Sequence, residues 1–239
     1  MKASLLEIAI IIPTYNARGS IIALVKSIKQ DAPHALVFVV DDNSPDGTGM
    51  LVKQHFAKDK KVTVLIRKGK GGRGSAVIVG FKEALKNKDI QYFIEMDADL
   101  CHPPKYIPKM IAKCTDADMV IVSKYLPQST IAGLTLKRRL MSKLMNFGAK
   151  TILQVPITDY SNGYRCYTRP VVAYLVSQKL QAKGFVLLSE IVYRVYKKGF
   201  TIAEIPFDFK QQVIGNSNMN MQEVKEAIRT LLLLRFERQ

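Results

Sequence analysis

Five short apolar runs, each followed by a polar turn and then by a helical pattern, constrain this chain more than any other feature. The runs are IAIII from Ile8, ALVFVVDD, VTVLI, QYFIEMD and ADMVIV. Between them lie helical stretches from about Gly19 to Lys29, from Gly47 to about Ala57, from Ser75 to Lys86, and a short one after Pro103. Strands this short, alternating with helices, predict βαβ units and a mostly parallel α/β sheet flanked by helices. The turns after the strands read PTYNARG, DDNSPDG, RKGKGGRG, DADLCHPP and SKYLPQS. Sheets of this kind bind ligands outside the carboxyl ends of their strands, where strand order reverses. Turn-formers, carboxylates and cations therefore gather where a ligand site is expected.

Composition narrows the class of ligand. The 239 residues are 48% hydrophobic and 23% charged, an ordinary globular balance that excludes a disordered tail, a collagen-like fibre and a disulfide scaffold. No linker interrupts the chain, so residues 1–239 are expected to form one unit. Lys and Arg number 36 against 20 Asp and Glu, a net charge of +16 that favours polyanionic partners. Nucleic acid, anionic lipid and phosphorylated small molecules all qualify. With no nucleic-acid motif in the chain, the expectation is no nucleic-acid partner. Cys101, Cys114 and Cys166 lie far apart without CxxC spacing, which points to a reducing compartment. No apolar run is long enough for a bilayer span. The N-terminal run reads as a strand and not as a signal peptide, so the cytoplasmic face of a membrane is the default location.

Asp97 and Asp99 end a predicted strand, and residues two apart on an extended chain point to the same side. Two such carboxylates suit Mg2+ or Mn2+, which also binds a diphosphate. Lys68, Lys70 and Arg73 sit among Gly69, Gly71, Gly72 and Gly74, where backbone N–H groups and the start of a helix suit phosphate. This loop is neither a P-loop nor a GxGxxG fingerprint. Asp41 or Asp42 suits a hydrogen bond from a nucleobase or ribose, whereas Asp46-Gly47 is turn chemistry. His34, His55 and His102 have no zinc-like spacing and read as incidental. From Met119 to Thr158 there is no acidic residue, while Lys124, Lys137, Arg138, Arg139, Lys143 and Lys150 are present, and in GLTLKRRLMSKLMNFGAKTIL cations mix with apolar residues at helical spacing. That pattern describes either a membrane-interface helix or a packed helix with a basic face.

The segments IIPTYN, VVDDNSPDGT, RKGKGGRGSAVIVGF, MDADLCHPP, VSKY, DYSNGYRCYTR and the late EIPF followed by GNS, in this order and spacing, resemble the inverting glycosyltransferases of family two. The likeness is greatest to the branch of dolichol-phosphate mannose synthases and related polyprenyl-phosphate glycosyltransferases. It implies a GT-A fold, a nucleoside-diphosphate sugar donor, a polyprenyl phosphate acceptor, and a peripheral place on a membrane, with a separate membrane-anchoring subunit as a further partner. It also implies roles. Pro13, Tyr15, Asp41, Asp42 and Lys70 would line the donor nucleotide, and Asp97 and Asp99 would hold Mg2+ or Mn2+. Lys124 and Arg138 would act in catalysis, and Arg138, Ser161 and Arg165 would meet the acceptor; Gly163 falls in the same segment, and Glu190 aligns with a late acidic residue.

The chain departs from that family pattern at Ala17, Cys101, Arg73, Gln212 and Asn218. Arg73 replaces a usual leucine, and Cys101 replaces a glutamine that would offer the metal an oxygen. Two other functions are set beside the leading one. Transfer to a sugar hydroxyl would require a base, for which Glu190 is the candidate. A non-catalytic binder of nucleotide sugars is suggested by Cys101, Gln212 and Asn218.

Overall fold

The computed structural model describes residues 8–182, 186–210 and 221–236. The predicted alternation is present. β1 (Ile8–Thr14), α1 (Ile21–Asp31), β2 (Leu36–Asp41), α2 (Thr48–His55), β3 (Val62–Ile66), α3 (Arg73–Ala84) and β4 (Tyr92–Glu95) follow one another. A 3-10 turn at Pro104–Tyr106 leads into α4 (Ile107–Lys113) and β5 (Met119–Ser123). The later half holds β6 (Thr130–Ala132), α5 (Leu136–Leu153), β7 (Arg165–Thr168), α6 (Arg169–Ser177), α7 (Val186–Lys197), β8 (Ile202–Pro206), β9 (Asp208–Lys210) and α8 (Met221–Phe236).

Seven strands form one sheet in the order β3-β2-β1-β4-β7-β5-β8, and β6 pairs with β9 in a small second sheet. The order reverses between β1 and β4, so the crevice of an α/β sheet lies above Thr14, Asp41 and Glu95. One strand departs from the parallel pattern. β7 runs antiparallel between β4 and β5, with Arg165 opposite Glu95 and Ile121. Its amino end therefore reaches the edge where its neighbours have their carboxyl ends, and the segment 158–164 enters the crevice.

Strands buried on both faces explain the uninterrupted apolar runs. Along β1, Ala9 and Ile11 face one core while Ile10 and Ile12 face the other, as a two-residue side-chain period requires. The first core lies under α3, α6 and α7. There Phe81 meets Phe93 and Tyr167 edge to face, with ring centroids 6.1 and 5.4 Å apart. Replacing Phe81 with alanine is expected to cost about 3–5 kcal/mol through lost burial and a residual cavity. Urea unfolding should show a lower midpoint at an unchanged slope.

Candidate active site

The loops after β1 and β2 are tied together by polar groups. Asp41 is buried and accepts hydrogen bonds from Thr14 Oγ1 at 2.8 Å, Ser44 N at 2.8 Å and Ser44 Oγ at 2.6 Å. Asn16 N donates to Ser44 Oγ, Ala17 N to Thr48 Oγ1, and Arg18 N to Asp46 Oδ2. Asp42, also buried, takes Arg67 Nη1 at 2.5 Å and the N–H groups of Gly71 and Gly72 at 3.1 and 2.7 Å. The acid pair therefore shapes the loops. Those glycine N–H groups, expected to face phosphate, face Asp42. Tyr15 and Lys70 are exposed on this wall, with the Lys70 Nζ 3.9 Å from the Tyr15 ring centroid. Pro13 is buried in β1 opposite Val40 and sets the start of the loop.

The floor of the crevice is carboxylate. Glu95 is fully buried, and Asp97 is recessed with 36% of its side chain accessible. Arg73, at the first position of α3, reaches both: its Nε donates to Asp97 Oδ1 at 2.6 Å and its Nη1 to Glu95 Oε1 at 3.2 Å. Nη2 donates to the carbonyl of Gly163 at 3.3 Å. Burial disfavours charge on Asp97, but the adjoining guanidinium outweighs it and holds the carboxyl below its ordinary range. Asp99 is exposed, and its Oδ1 accepts the N–H of Cys101 at 3.0 Å. Between them Leu100 adopts φ 64°, a left-handed conformation strained for leucine by about 1–3 kcal/mol. Asn16 and Asn43 share that conformation in the loops after β1 and β2.

Among the described residues, no group of three or more His, Cys, Asp or Glu is arranged to hold a metal. The donor set is two hard carboxylates, with Asp97 Oδ2 and Asp99 Oδ2 outside the bonds to Arg73 and Cys101. Mg2+ is commonly held by one or two carboxylates, with water and substrate phosphates completing the shell. The pair fits a cation whose remaining ligands come from a diphosphate.

His102, which looked incidental in sequence, lies under this loop. It is buried, stacked on Tyr164 with centroids 4.9 Å apart, and its Nδ1 accepts the N–H of Asp97 at 2.9 Å. Nδ1 is thus unprotonated and the proton of the neutral ring sits on Nε2, 3.9 Å from Asp97 Oδ2. Only the spacing from the acid pair could have signalled this.

The opposite wall is cationic. Lys124 Nζ lies 3.5 Å from Asp159 and 3.2 Å from Ser161 Oγ. Asp159 is fully buried and accepts from Ser161 and Asn162 N–H groups at 3.0 Å each. Asn146 of α5 donates to Ser161 Oγ at 3.2 Å, and Ser142 accepts from Tyr125 Oη at 2.5 Å. Arg138 lies four residues before Ser142 on the same flank of α5, where Thr135 caps the Arg138 N–H.

Two expected site residues lie elsewhere. Arg165 is fully buried, and its guanidinium bonds the main-chain carbonyls of Asn162, Leu188 and Tyr160, so it folds the segment 158–164 from inside and does not line the crevice. Glu190 is fully buried in α7, holding Arg194 and the N–H groups of Gln181 and Ala182. That placement removes it as a base. Gln212 and Asn218 lie outside the described residues.

Residues 9–175 match the family described as Glycosyl transferase family 2. A polyprenol monophosphomannose synthase of Mycolicibacterium smegmatis is 33% identical over 221 residues, covering 92% of this chain and 83% of that protein. An undecaprenyl-phosphate mannosyltransferase of Micrococcus luteus is 31% identical over 223 residues, covering 93% and 91%. A crystal structure of glucosyl-3-phosphoglycerate synthase from Mycobacterium tuberculosis with Mn2+, UDP and phosphoglyceric acid superposes with a TM-score of 0.65 at 14% identity, over 95% of this chain and 78% of that one. The same enzyme with Mg2+ and UDP gives a TM-score of 0.64 at 15% identity, over 95% and 78%. These structures share the fold.

The His102 environment has a pH signature. Burial lowers its pKa below the ordinary 6.5. The unfolded chain takes up a proton as pH falls through that value while the folded chain does not. Stability should therefore be full above about pH 6.5 and decline on acidification, by up to about 1.4 kcal/mol per pH unit. His102→Asn, which keeps an acceptor for the Asp97 N–H, is expected to flatten that part of a urea-derived stability profile.

Proposed function

Given that the chain belongs to glycosyl transferase family 2, we propose that it transfers a hexose of the mannose type, with inversion, from a nucleoside-diphosphate sugar to a polyprenyl phosphate at a membrane surface. The observation that carries this reading is the double role of α5. One flank supplies Ser142 and Asn146 to the crevice. The other exposes Leu136, Leu140, Leu144 and Phe147, at 82, 67, 62 and 69%. Exposed Lys137, Arg139, Lys143 and Lys150 border that stripe, and α8, packed beside α5, adds exposed Leu233 and Phe236. An apolar stripe edged by cations suits anionic lipid. No described helix is long and apolar enough to cross a membrane, so the reading is of a helix lying in the interface.

Each wall then has a task. Tyr15 and Lys70 cover the donor nucleotide, with Pro13, Asp41 and Asp42 fixing the loops that carry them. Asp97 and Asp99 hold Mg2+ or Mn2+, which when bound stabilises negative charge on the departing diphosphate as a Lewis acid. Lys124, fixed by Asp159 and Ser161, adds positive potential where two anionic substrates meet. Arg138 and the amino end of α5 receive the acceptor phosphate, and Ser161 lines the path between them. The isoprenoid extends along the apolar stripe that begins at Leu136. A phosphate monoester has its second pKa near 6, so the acceptor is largely dianionic at neutral pH. It attacks the anomeric carbon without losing a proton and requires no general base, in keeping with the internal position of Glu190.

Asp99→Ala is expected to lower transfer at least about 100-fold, the scale of several kcal/mol of lost charge stabilisation, with an unchanged circular dichroism spectrum. A radiolabelled donor panel containing GDP-mannose and UDP-glucose, with a short polyprenyl phosphate, reads this out. Label entering the organic phase supports the reading. Label confined to water-soluble product favours a hydroxyl acceptor, and donor binding without turnover favours a non-catalytic binder. Leu140→Glu with Phe147→Glu should abolish co-sedimentation with anionic vesicles while transfer to a short, water-soluble acceptor persists.

A further inference from the structure

We propose that Arg73 is a built-in counter-cation of the carboxylate pair, which keeps a divalent metal weakly bound until a nucleoside diphosphate arrives. This rests on the reading that Asp97 and Asp99 hold the metal. The guanidinium occupies Asp97 Oδ1 through Nε at 2.6 Å, an oxygen that a cation would otherwise use. It also neutralises Glu95, the buried carboxylate beside it. Glu95 and Asp97 bring two negative charges to the floor, and Arg73 offsets one of them.

The position is built. Asp42 fixes Gly71 and Gly72 immediately before α3, so Arg73 leaves the loop at a set point. Gly163 leaves room for it: a Cβ there would overlap the guanidinium, whose Nη2 bonds the carbonyl of the same residue. Tyr167 Oη reaches the other oxygen of Glu95 at 3.3 Å and fixes the far side. One strand residue, Glu95 of β4, and two loop residues, Asp97 and Gly163, thus converge on one side chain.

An arginine cannot give up its proton to yield the site, so competition is between two cations for one carboxylate. A bare divalent ion meets a floor of reduced charge and one engaged oxygen. A diphosphate brings further oxygens and negative charge, which complete the ion's shell and offer Arg73 a second anionic partner. Cation and nucleotide affinities are therefore coupled, and the coupling is reciprocal.

The test is titration with MnCl2, following free Mn2+ by electron paramagnetic resonance, on the full chain with and without GDP or UDP. Arg73→Leu is expected to bind Mn2+ alone at least tenfold more tightly than the wild type, with a smaller enhancement by nucleotide. Arg73→Lys, which keeps the charge, should stay near the wild type. Adding Asp97→Asn to Arg73→Leu should remove the gain, which locates it at this carboxylate. Should Arg73→Leu fail to fold with Glu95 left uncompensated, Arg73→Leu with Glu95→Gln serves in its place and is read against Glu95→Gln alone. Equal or weaker Mn2+ binding without the arginine overturns the proposal while leaving the metal assignment intact. No protein-bound Mn2+ in any variant, with or without nucleotide, overturns both.

Discussion

Like charges brought to one edge of a sheet repel, and the fold of this protein is organised around that constraint. The strand order places Asp41 and Asp42 at the end of β2, and Glu95 and Asp97 at the end of β4, on either side of β1. Each is recessed, and a buried carboxylate without donors would be protonated or would unfold its surroundings. Thr14 and Ser44 satisfy Asp41, the glycine loop and Arg67 satisfy Asp42, and Arg73 joins Glu95 to Asp97. These bonds tie the loops after β1, β2, β3 and β4 into one rim. A preorganised rim positions substrate groups with little reorganisation, which is where electrostatic catalysis gains most.

The second half of the chain answers the first with positive charge. β7, entering antiparallel, turns the segment 158–164 into the crevice, where Asp159 and Ser161 hold Lys124. Glu204 of β8 in turn accepts the N–H groups of Thr158 and Asp159 at 2.7 and 2.9 Å. α5 connects this wall to an exposed apolar stripe. Under the proposed function, the basic surplus of +16 serves two phosphorylated substrates and a lipid surface together.

Much of the site was legible because it is local. Asp97 and Asp99 are two residues apart on extended chain, the glycine loop is contiguous, and α5 shows its two faces through its spacing. What escaped is contact between distant segments. Arg165 carries a charge that sequence alone places at a surface, yet three carbonyls satisfy it inside the protein. Glu190 resembled a base and is a buried structural carboxylate. His102 had no zinc-like spacing, and its partners are the Asp97 backbone and the face of the distant Tyr164. Arg73 was visible only as a departure, because its meaning depends on Glu95 and Gly163.

By itself the sequence determined the α/β alternation, the two-sided burial of the strands, the placing of polar turns beyond them and the amphipathic nature of α5. These follow from side-chain periodicity and turn chemistry, which act over a few residues. Tertiary structure decided the antiparallel insertion of β7, the inward turn of Arg73, and which carboxylates stay accessible and which are buried holding loops. Such choices depend on desolvation and on partners supplied from up to 90 residues away, and no local pattern encodes them.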